Sequence, residues 1–316
     1  MVRISCNLCK HNEIKNILRV KEYYLFSSRI FDIGKCCYCG LVFIYPPLSN
    51  EELSKYYPDR FYEVPPEDKL TKIMSIFPGR DKISIVEKTK KKGKILDIGC
   101  ARGGFLEILK NRGWEAYGVD ISTAACKYAK EKLGENNVFN GDITSLELTE
   151  NYFDVITMWH VIEHATDPLA VLKEVYKLLG PGGSVIINCP NYNSWQRVIF
   201  KNNWFALCAP QHLFHFTPVT LYMMLKQAGF SVIKKDYIND VSYNTNSMKL
   251  SILRAVGLGK MTAIESKSGE EMLKRKPVRL ALWKILRFFF NVSCLCISVV
   301  FHFAGNREQL LFHAKK

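Results

Sequence analysis

The chain has 316 residues, enough for one sizeable domain and an accessory module. Of these residues 48% are hydrophobic and 23% are charged, which is ordinary for a soluble globular protein. Its formal net charge of +14 favours anionic partners, such as phosphates, nucleic acid or an acidic membrane surface, but does not choose among them. Residues 1–10 lack the apolar core of a signal peptide, so we expect a cytoplasmic protein. Eleven cysteines in a reducing compartment then exclude a disulfide framework.

Five of the cysteines crowd into the first 39 residues, and four of them form two C-x-x-C pairs: Cys6, Cys9, Cys36 and Cys39. Each pair can turn two thiolates toward one point, and two pairs complete a tetrahedral zinc site. Cys37 can replace a neighbour, but the two-residue spacing favours Cys36 with Cys39. An all-thiolate site has no open position for chemistry, so we predict a structural zinc in a ribbon-like module over residues 1–48. The alternative is a small reduced core without metal.

Residues 49–80 separate this module from the rest of the chain. A capping box at Ser49 and Glu52 predicts a short helix. The prolines and the glycine that follow indicate a linker, or a lid over a site. The main domain is therefore expected at residues 81–240.

A strand, a glycine-rich turn and a helix follow one another from residue 94. The turn, Gly99-Cys-Ala-Arg-Gly103-Gly104, can bring backbone close to a ligand, and the start of the helix is electropositive. By itself this turn also fits, loosely, the dinucleotide fingerprint of a nicotinamide dehydrogenase. Asp97 stands near the end of the strand, where a purely structural residue would be apolar. There its carboxylate can hold a ligand's ammonium group.

Acids also end the next two strands. Asp120 closes the second strand, 23 residues after Asp97, and can accept both ribose hydroxyls. Asp142 ends the third strand and suits an adenine amine. A fourth strand over 153–158 opens onto Trp159, and a Pro-Gly-Gly turn leads into a fifth. A dehydrogenase explains the glycine turn and Asp120, but not Asp97, Asp142 or the Pro-Gly-Gly turn.

These five ordered motifs resemble the Rossmann-like methyltransferases that use S-adenosylmethionine, over roughly residues 80–240. The resemblance implies an enzyme with a doubly wound, mostly parallel seven-stranded α/β sheet; a cofactor-binding protein without activity is the alternative. It implies that Asp120 binds the ribose, that Asp142 binds the adenine, and that the methionyl end is surrounded by Asp97, Gly99, Ala101 and Gly103. Trp159 is a further candidate cofactor contact. Ala101 departs from the all-glycine form, but it is small enough to keep the turn.

The paired cysteines that precede this domain make the family resemblance more specific. The whole chain resembles a bacterial group of methyltransferases that includes sugar C-methyltransferases and enzymes of cell-envelope polysaccharide pathways. The resemblance implies S-adenosylmethionine and a structural zinc as cofactors. It also implies a small anionic acceptor, such as a nucleotide-linked sugar or an envelope glycan intermediate. No specific nucleic-acid partner is expected.

Methyl transfer is an in-line displacement, so the enzyme must align the acceptor and, where needed, remove its proton. Histidines cluster after the fourth and fifth strands, where such residues belong. In the sugar C-methyltransferases that the chain resembles, a Glu-His segment supplies the base, whereas here Gln211 stands in place of the glutamate. His212 is therefore the predicted general base and His215 the second candidate. The alternative is that either histidine is a buried structural residue.

The stretch His160-Val-Ile-Glu163-His164 supports a rival interpretation. On a helix these three donors would share one face, at spacings of three and four residues. The stretch resembles the Glu-x-x-Glu-His arrangement of metal-dependent O-methyltransferases, with His160 in place of the first glutamate. His212 or His215 can then complete a divalent metal site that bridges two hydroxyls of a diol or quinone-type acceptor.

Residues 241–304 are predicted to form an insertion that ends in an amphipathic helix over 278–303. Its uncharged run is at the short end for a membrane span, and residues 305–316 resemble the last, antiparallel strand of the sheet. A single crossing would leave that strand on the wrong side of the membrane. We therefore expect the helix to be buried, to lie at a subunit interface of an oligomer, or to lie in the plane of the inner membrane face.

Overall fold

The computed structural model describes residues 4–22, 29–56, 82–238, 241–257, 289–290, 292–294, 296–297, 300 and 307–316. The strands are β1 (Ile14–Lys21), β2 (Ile30–Cys36), β3 (Val42–Ile44), β4 (Lys94–Ile98), β5 (Glu115–Asp120), β6 (Val138–Asn140), β7 (Phe153–Trp159), β8 (Leu179–Pro190), β9 (Phe214–His215), β10 (Ser231–Ile238) and β11 (Gln309–Lys315). The helices are α1 (Asn50–Ser54), α2 (82–89), α3 (Gly104–Asn111), α4 (Thr123–Leu133), α5 (Pro168–Leu178), α6 (Trp195–Phe200), α7 (Pro218–Gln227) and α8 (Val241–Ala255).

Seven strands form the main sheet, in the order β10-β11-β8-β7-β4-β5-β6. Strands β4 to β8 pair in parallel, whereas β11 is antiparallel to both of its neighbours. Strands β4 and β7 are almost continuous buried runs, as expected where helices cover both faces of a parallel sheet. The predicted Rossmann-like, mostly parallel seven-stranded α/β sheet is confirmed.

The strand order determines where a ligand can bind. From β4 the chain moves outward through β5 to β6, and it then returns to place β7 on the other side of β4. Such a reversal opens a crevice at the carboxyl ends of the strands. The residues that follow β4, β5, β6, β7 and β8 therefore meet at one edge of the sheet.

A second sheet has four antiparallel strands, in the order β1-β2-β3-β9. Its first three strands lie within the N-terminal module predicted over residues 1–48. The fourth strand comes from the segment after β8, where Val42 pairs with His215 and Phe43 pairs with Phe214. The N-terminal strands are thus completed by the segment that carries the predicted base.

The two sheets also share one hydrophobic core. Ile33 and Phe43 of the N-terminal sheet belong to the same buried cluster as Leu96 and Met158 of the main sheet. Burial of these apolar side chains stabilises the contact between the two sheets. The N-terminal strands are therefore packed into the body of the protein.

The end of the chain returns to the main sheet, because β11 lies between β8 and β10. Helix α1 starts at Ser49 with the predicted capping box, in which Ser49 and Glu52 bond to each other's backbone amides. The predicted linker or lid that follows lies outside the described residues, and so does most of the predicted helix over 278–303. Within the described ranges, no helix has both the length and the apolar character needed to cross a bilayer.

Candidate active site

The glycine-rich turn links β4 to α3 through left-handed backbone. Gly99 has a φ of +75°, and a Cβ there would lie 2.5 Å from Cγ2 of Val161. Gly103, at the start of α3, has a φ of +73°. Ala101 also adopts a left-handed φ, of +48°, which costs free energy for a residue with a Cβ. The turn therefore keeps its conformation despite the alanine.

Asp97 is 4% exposed at the end of β4, beside Thr157 of β7. The Thr157 hydroxyl donates a hydrogen bond to Oδ1 of Asp97 over 2.5 Å. Burial raises the pKa of Asp97 to about 7, although the Thr157 bond and the charge of Lys82 act in the opposite direction. A buried carboxylate with so few partners is suited to accept a ligand's ammonium group.

Asp120 ties the glycine turn to the end of β5. Its Oδ2 accepts a hydrogen bond from the Ala101 amide over 2.8 Å, and its Oδ1 accepts one from the Ser122 amide over 2.9 Å. Asp142 follows β6 and caps a short 3₁₀ turn, where its Oδ1 accepts from the amide and the hydroxyl of Thr144. The structure thus places the predicted ribose and adenine acids at the carboxyl edge of adjacent strands.

Trp159 ends β7 and forms one wall of this edge. It is 7% exposed, packs edge-on against Phe105 of α3, and has an indole nitrogen without a hydrogen-bond partner among the described residues. Lys82 of α2 lies 5.0 Å from the centre of the indole ring. Sequence reasoning missed Lys82, because α2 precedes the glycine turn and carries no motif.

A second group of polar side chains lies after β7. Glu163 is 1% exposed, and its Oε2 has no hydrogen-bond partner among the described residues. Its Oε1 faces Nδ1 of His160 at 3.3 Å. Burial alone would raise the pKa of Glu163, but the His160 contact and the neighbouring imidazoles lower it to about 2. Glu163 is thus a buried carboxylate with one unpartnered oxygen.

Two imidazoles complete this group. Nδ1 of His164 donates to the Gln211 carbonyl over 2.9 Å, and Nδ1 of His212 donates to the Ala206 carbonyl over 2.8 Å. One nitrogen of each ring and a carboxylate oxygen of Glu163 all lie within 4.8 Å of one another. Burial lowers the pKa of both imidazoles, that of His212 to about 3. We call Glu163, His164 and His212 the acceptor cluster.

The helical face predicted for His160, Glu163 and His164 is wrong. His160 has a φ of +59° and precedes a single 3₁₀ turn, Ile162–His164. The amide of His160 donates to the Asn188 carbonyl of β8, which holds the residue in the strand-end geometry. His160 therefore contacts Glu163 from the side and does not belong to the acceptor cluster.

The other two residues predicted beside the base are buried. His215 is 3% exposed in β9, and its Nε2 has no hydrogen-bond partner among the described residues. Gln211, which stands in place of the expected glutamate, donates to the Tyr56 carbonyl over 3.2 Å. Gln211 thus connects this segment to the residues after α1.

The four predicted zinc ligands converge at the N-terminus. The sulfur atoms of Cys6 and Cys39 are 3.5 Å apart, those of Cys9 and Cys36 are 3.4 Å apart, and all four lie within 4.8 Å of one another. Four thiolates about 2.3 Å from one zinc ion require sulfur separations in this range. Although burial opposes it, bonds from backbone amides lower the pKa of Cys36 to about 7. Cys37 is exposed.

Comparison with known proteins agrees with the fold. The family model described as "Methyltransferase domain" matches residues 74–235, which are 162 of the 316 residues. A protein of Psychrobacter arcticus named ubiquinone biosynthesis O-methyltransferase is 27% identical over 202 residues, which cover 57% of this chain and 75% of the relative. A protein of that name from Pseudomonas aeruginosa is 30% identical over 130 residues, which cover 40% of this chain and 53% of the relative.

A solved structure shares the fold. It is that of a candidate sarcosine dimethylglycine methyltransferase from Galdieria sulphuraria, with a TM-score of 0.50 and 15% identity. The match covers 79% of this chain and 88% of that one. At this identity the likeness shows a common fold alone.

Proposed function

Because the chain belongs to the methyltransferase domain family and is an S-adenosylmethionine-dependent methyltransferase, we propose that it methylates a hydroxyl oxygen of a small diol or quinone-type acceptor. The acceptor cluster carries this proposal, since a buried carboxylate with an unpartnered oxygen faces two imidazoles beyond the end of β7. The relatives named ubiquinone biosynthesis O-methyltransferase favour oxygen as the methylated atom. They do not confirm the resemblance to sugar C-methyltransferases, so a glycan acceptor stays a prediction.

We assign the cofactor residues from the geometry of the edge. Asp97 would hold the ammonium group, Asp120 the ribose and Asp142 the adenine amine, while Trp159 limits the methionyl side. Lys82 is close enough to Asp97 to act on its charge and would approach the cofactor carboxylate. The residues that follow β7 and β8 would then lie beside the reacting methyl group.

The acceptor cluster would orient the hydroxyl and take up its proton. The carbonyl bonds at Nδ1 of His164 and His212 leave Nε2 as the atom of each ring that can accept a proton or ligate a metal. Two imidazoles and one carboxylate are a donor set for a divalent transition-metal ion, and ring nitrogens held by carbonyls are usual at metal ligands. When bound, such an ion supplies Lewis acidity that lowers the pKa of a hydroxyl.

The test is a methyl-transfer assay with labelled S-adenosylmethionine and three acceptor types: a catechol, a quinol and a nucleotide sugar. We expect label in a methyl ether of the catechol or the quinol, identified by mass spectrometry. Label on carbon, or on the nucleotide sugar alone, would contradict the proposal.

Chelation distinguishes the two ways in which the cluster can act. If a divalent ion is needed at the acceptor cluster, treatment with a chelator abolishes catechol methylation, and adding manganese, which does not suit a four-thiolate site, restores it. Binding of S-adenosylhomocysteine should not change. If turnover survives complete chelation, His212 acts as the general base without a metal.

We also propose that Cys6, Cys9, Cys36 and Cys39 hold one structural zinc ion. The convergence of the four sulfur atoms supports this site. A closed site of four thiolates stabilises the fold and takes no part in methyl transfer.

A further inference from the structure

Arg197 of α6 has a positive charge that no acid of the described residues pairs with. Its Nη2 donates to the Tyr192 hydroxyl over 3.0 Å, and the guanidinium lies 4.8 Å from the centre of that ring. Its Nε is buried and has no hydrogen-bond partner among the described residues. The ion pairs found in the described part of the chain do not include Arg197. A half-buried guanidinium left in this state costs free energy, unless a ligand supplies the anion.

His215 is the second unpartnered group at this place. Only 3% of the residue is exposed, and its Nε2 has no hydrogen-bond partner among the described residues. The Tyr192 ring contacts both groups, with its centre 5.8 Å from that of the His215 ring and 4.8 Å from the guanidinium of Arg197. Two buried nitrogens that lack acceptors therefore flank one tyrosine.

This pair adjoins the acceptor cluster. His215 follows His212 by three residues, and Arg197, His212 and Glu163 all act electrostatically on His215. Among the described residues, the acceptor cluster has a carboxylate oxygen without a hydrogen-bond partner, Oε2 of Glu163. Arg197 has a guanidinium nitrogen, Nε, without an acceptor. An acceptor with a hydroxyl at one end and an anion at the other matches both of these atoms.

We propose that Arg197 and His215 bind an anionic group of the methyl acceptor, a carboxylate or a phosphate, while its hydroxyl faces the acceptor cluster. This inference rests on the proposed function and adds an acceptor class to it. A guanidinium offers planar paired donors that fit both anions. Nε2 of His215, in the tautomer protonated at that atom, donates a further hydrogen bond.

The experiment measures binding by calorimetry to protein loaded with S-adenosylhomocysteine. The probes are 3,4-dihydroxybenzoate, neutral 4-methylcatechol and inorganic phosphate. Arg197→Met should weaken binding of the preferred anion by about 10- to 100-fold and leave 4-methylcatechol and S-adenosylhomocysteine unaffected. Arg197→Lys keeps the positive charge but not the planar paired donors of the guanidinium, so its affinity for the anion should fall by a smaller factor. The anion that binds more tightly to the wild-type protein identifies the source as carboxylate or phosphate.

Arg19→Met is the matched control, because Arg19 is exposed, pairs with Asp32 and lies on the N-terminal sheet. It removes the same charge and should leave all three affinities unchanged. The proposal is overturned if neither anion binds to the wild-type protein, or if Arg197→Met binds both as tightly as the wild type. Catechol that binds but is not methylated would contradict the proposed function and leave the anion site standing.

Discussion

The predicted cofactor residues at the carboxyl ends of the strands, which we call the cofactor edge, are Asp97, Asp120, Asp142 and Trp159. The cofactor edge and the acceptor cluster lie at the same end of one sheet, but they are built differently. Asp97 and Asp120 lie at the ends of β4 and β5, Asp142 follows β6, and Asp120 and Asp142 accept hydrogen bonds from backbone amides. The acceptor cluster instead joins residues almost 50 positions apart, Glu163 with His212, and leaves a carboxylate oxygen unpartnered. The first region combines local turns at Asp120 and Asp142 with the bond between Thr157 and Asp97 across β7 and β4, whereas the second has no local turn that joins Glu163 to His212.

The two regions also differ in which buried polar atoms have hydrogen-bond partners. On the cofactor side the turns at Asp120 and Asp142 already make their backbone hydrogen bonds, although the indole nitrogen of Trp159 has no partner among the described residues. The acceptor side keeps buried groups such as Oε2 of Glu163 and Nε2 of His215 without partners. Such groups are expensive in a folded protein and are expected mainly where a ligand satisfies them.

The largest expected effect is at Glu163. Glu163→Gln removes the charge and keeps the shape, so turnover should fall roughly 100- to 10,000-fold while affinity for S-adenosylhomocysteine stays the same. Labelled-methyl transfer to catechol and calorimetry measure the two quantities. Glu174→Gln, whose carboxylate pairs with Lys177 on α5, is the control and should behave as wild type.

His212→Ala separates the two modes of action of the cluster. If His212 is the general base without a metal, this change should cost roughly 100- to 10,000-fold in turnover and exceed the loss in Glu163→Gln. If a divalent ion is held, Glu163→Gln should be the more damaging change. If turnover falls only slightly, and by the same factor, in both variants, the acceptor cluster takes no part in the reaction.

The next effect concerns the zinc site. Changing Cys6 and Cys9 to Ser should abolish a zinc content of about one ion per chain, because two thiolates cannot hold a structural site. Since β3 pairs with β9, the loss should expose the amides of Phe214 and His215 to hydrogen exchange before those of β4. Acceptor binding should weaken more than cofactor binding.

Cys37→Ser is the matched control for this experiment, because Cys37 is exposed and adjoins a predicted ligand. It should retain zinc, as elemental analysis can verify. Wild-type protein that is purified from zinc-containing medium without zinc would contradict the site. If hydrogen exchange at the β9 amides is unchanged in the double variant, the pairing of β3 with β9 does not depend on the zinc ion.

A smaller effect is expected from the titration of Asp97. Because burial raises the pKa of this carboxyl to about 7, it is increasingly protonated as the pH falls through that value. An ammonium group binds the ionised form, so affinity for S-adenosylhomocysteine should fall roughly tenfold from pH 8 to pH 6. Asp97→Asn should bind weakly at every pH, without this dependence. A pH-independent wild type would contradict the assignment.

The smallest effect should come from Thr157→Val. The Thr157 hydroxyl stabilises the ionised form of Asp97, so its loss should move the pH midpoint of cofactor binding upward. Affinity at neutral pH should fall by about threefold, because the loss of one hydrogen bond of about 1 kcal/mol raises the pKa by about 0.7 and lowers the ionised fraction accordingly. Turnover on saturating cofactor should not change. A midpoint that moves downward would contradict the role given to this hydroxyl.

Much of the cofactor edge could be predicted from the sequence. The apolar run of β4, the glycine turn and the acids at strand ends are local patterns, and the parallel sheet follows from their alternation with helices. The cysteine pairs are local in the same sense, since each C-x-x-C turn is set by a few residues. The prediction of seven strands followed from the family resemblance that these motifs carry, whereas the strand order came from the structure.

The acceptor side could be predicted only in part, because its geometry depends on contacts between distant segments. His160 was expected on a helix with Glu163 and His164, but its amide bond to β8 holds it in left-handed backbone. No local pattern indicates that Arg197 lacks an acid or that Lys82 lies over Trp159.

Short-range spacing was therefore enough to predict the fold class, the acids at the strand ends and the four cysteines that converge, whereas binding of the cofactor and of zinc at these residues stays a prediction. Only the tertiary structure decided that the N-terminal strands and β9 form one sheet. It also decided which histidines meet Glu163 and which buried groups have no partner. The physical reason is that a hydrogen-bond partner or an unpaired charge depends on which distant segments pack together, and spacing along the chain does not encode that packing.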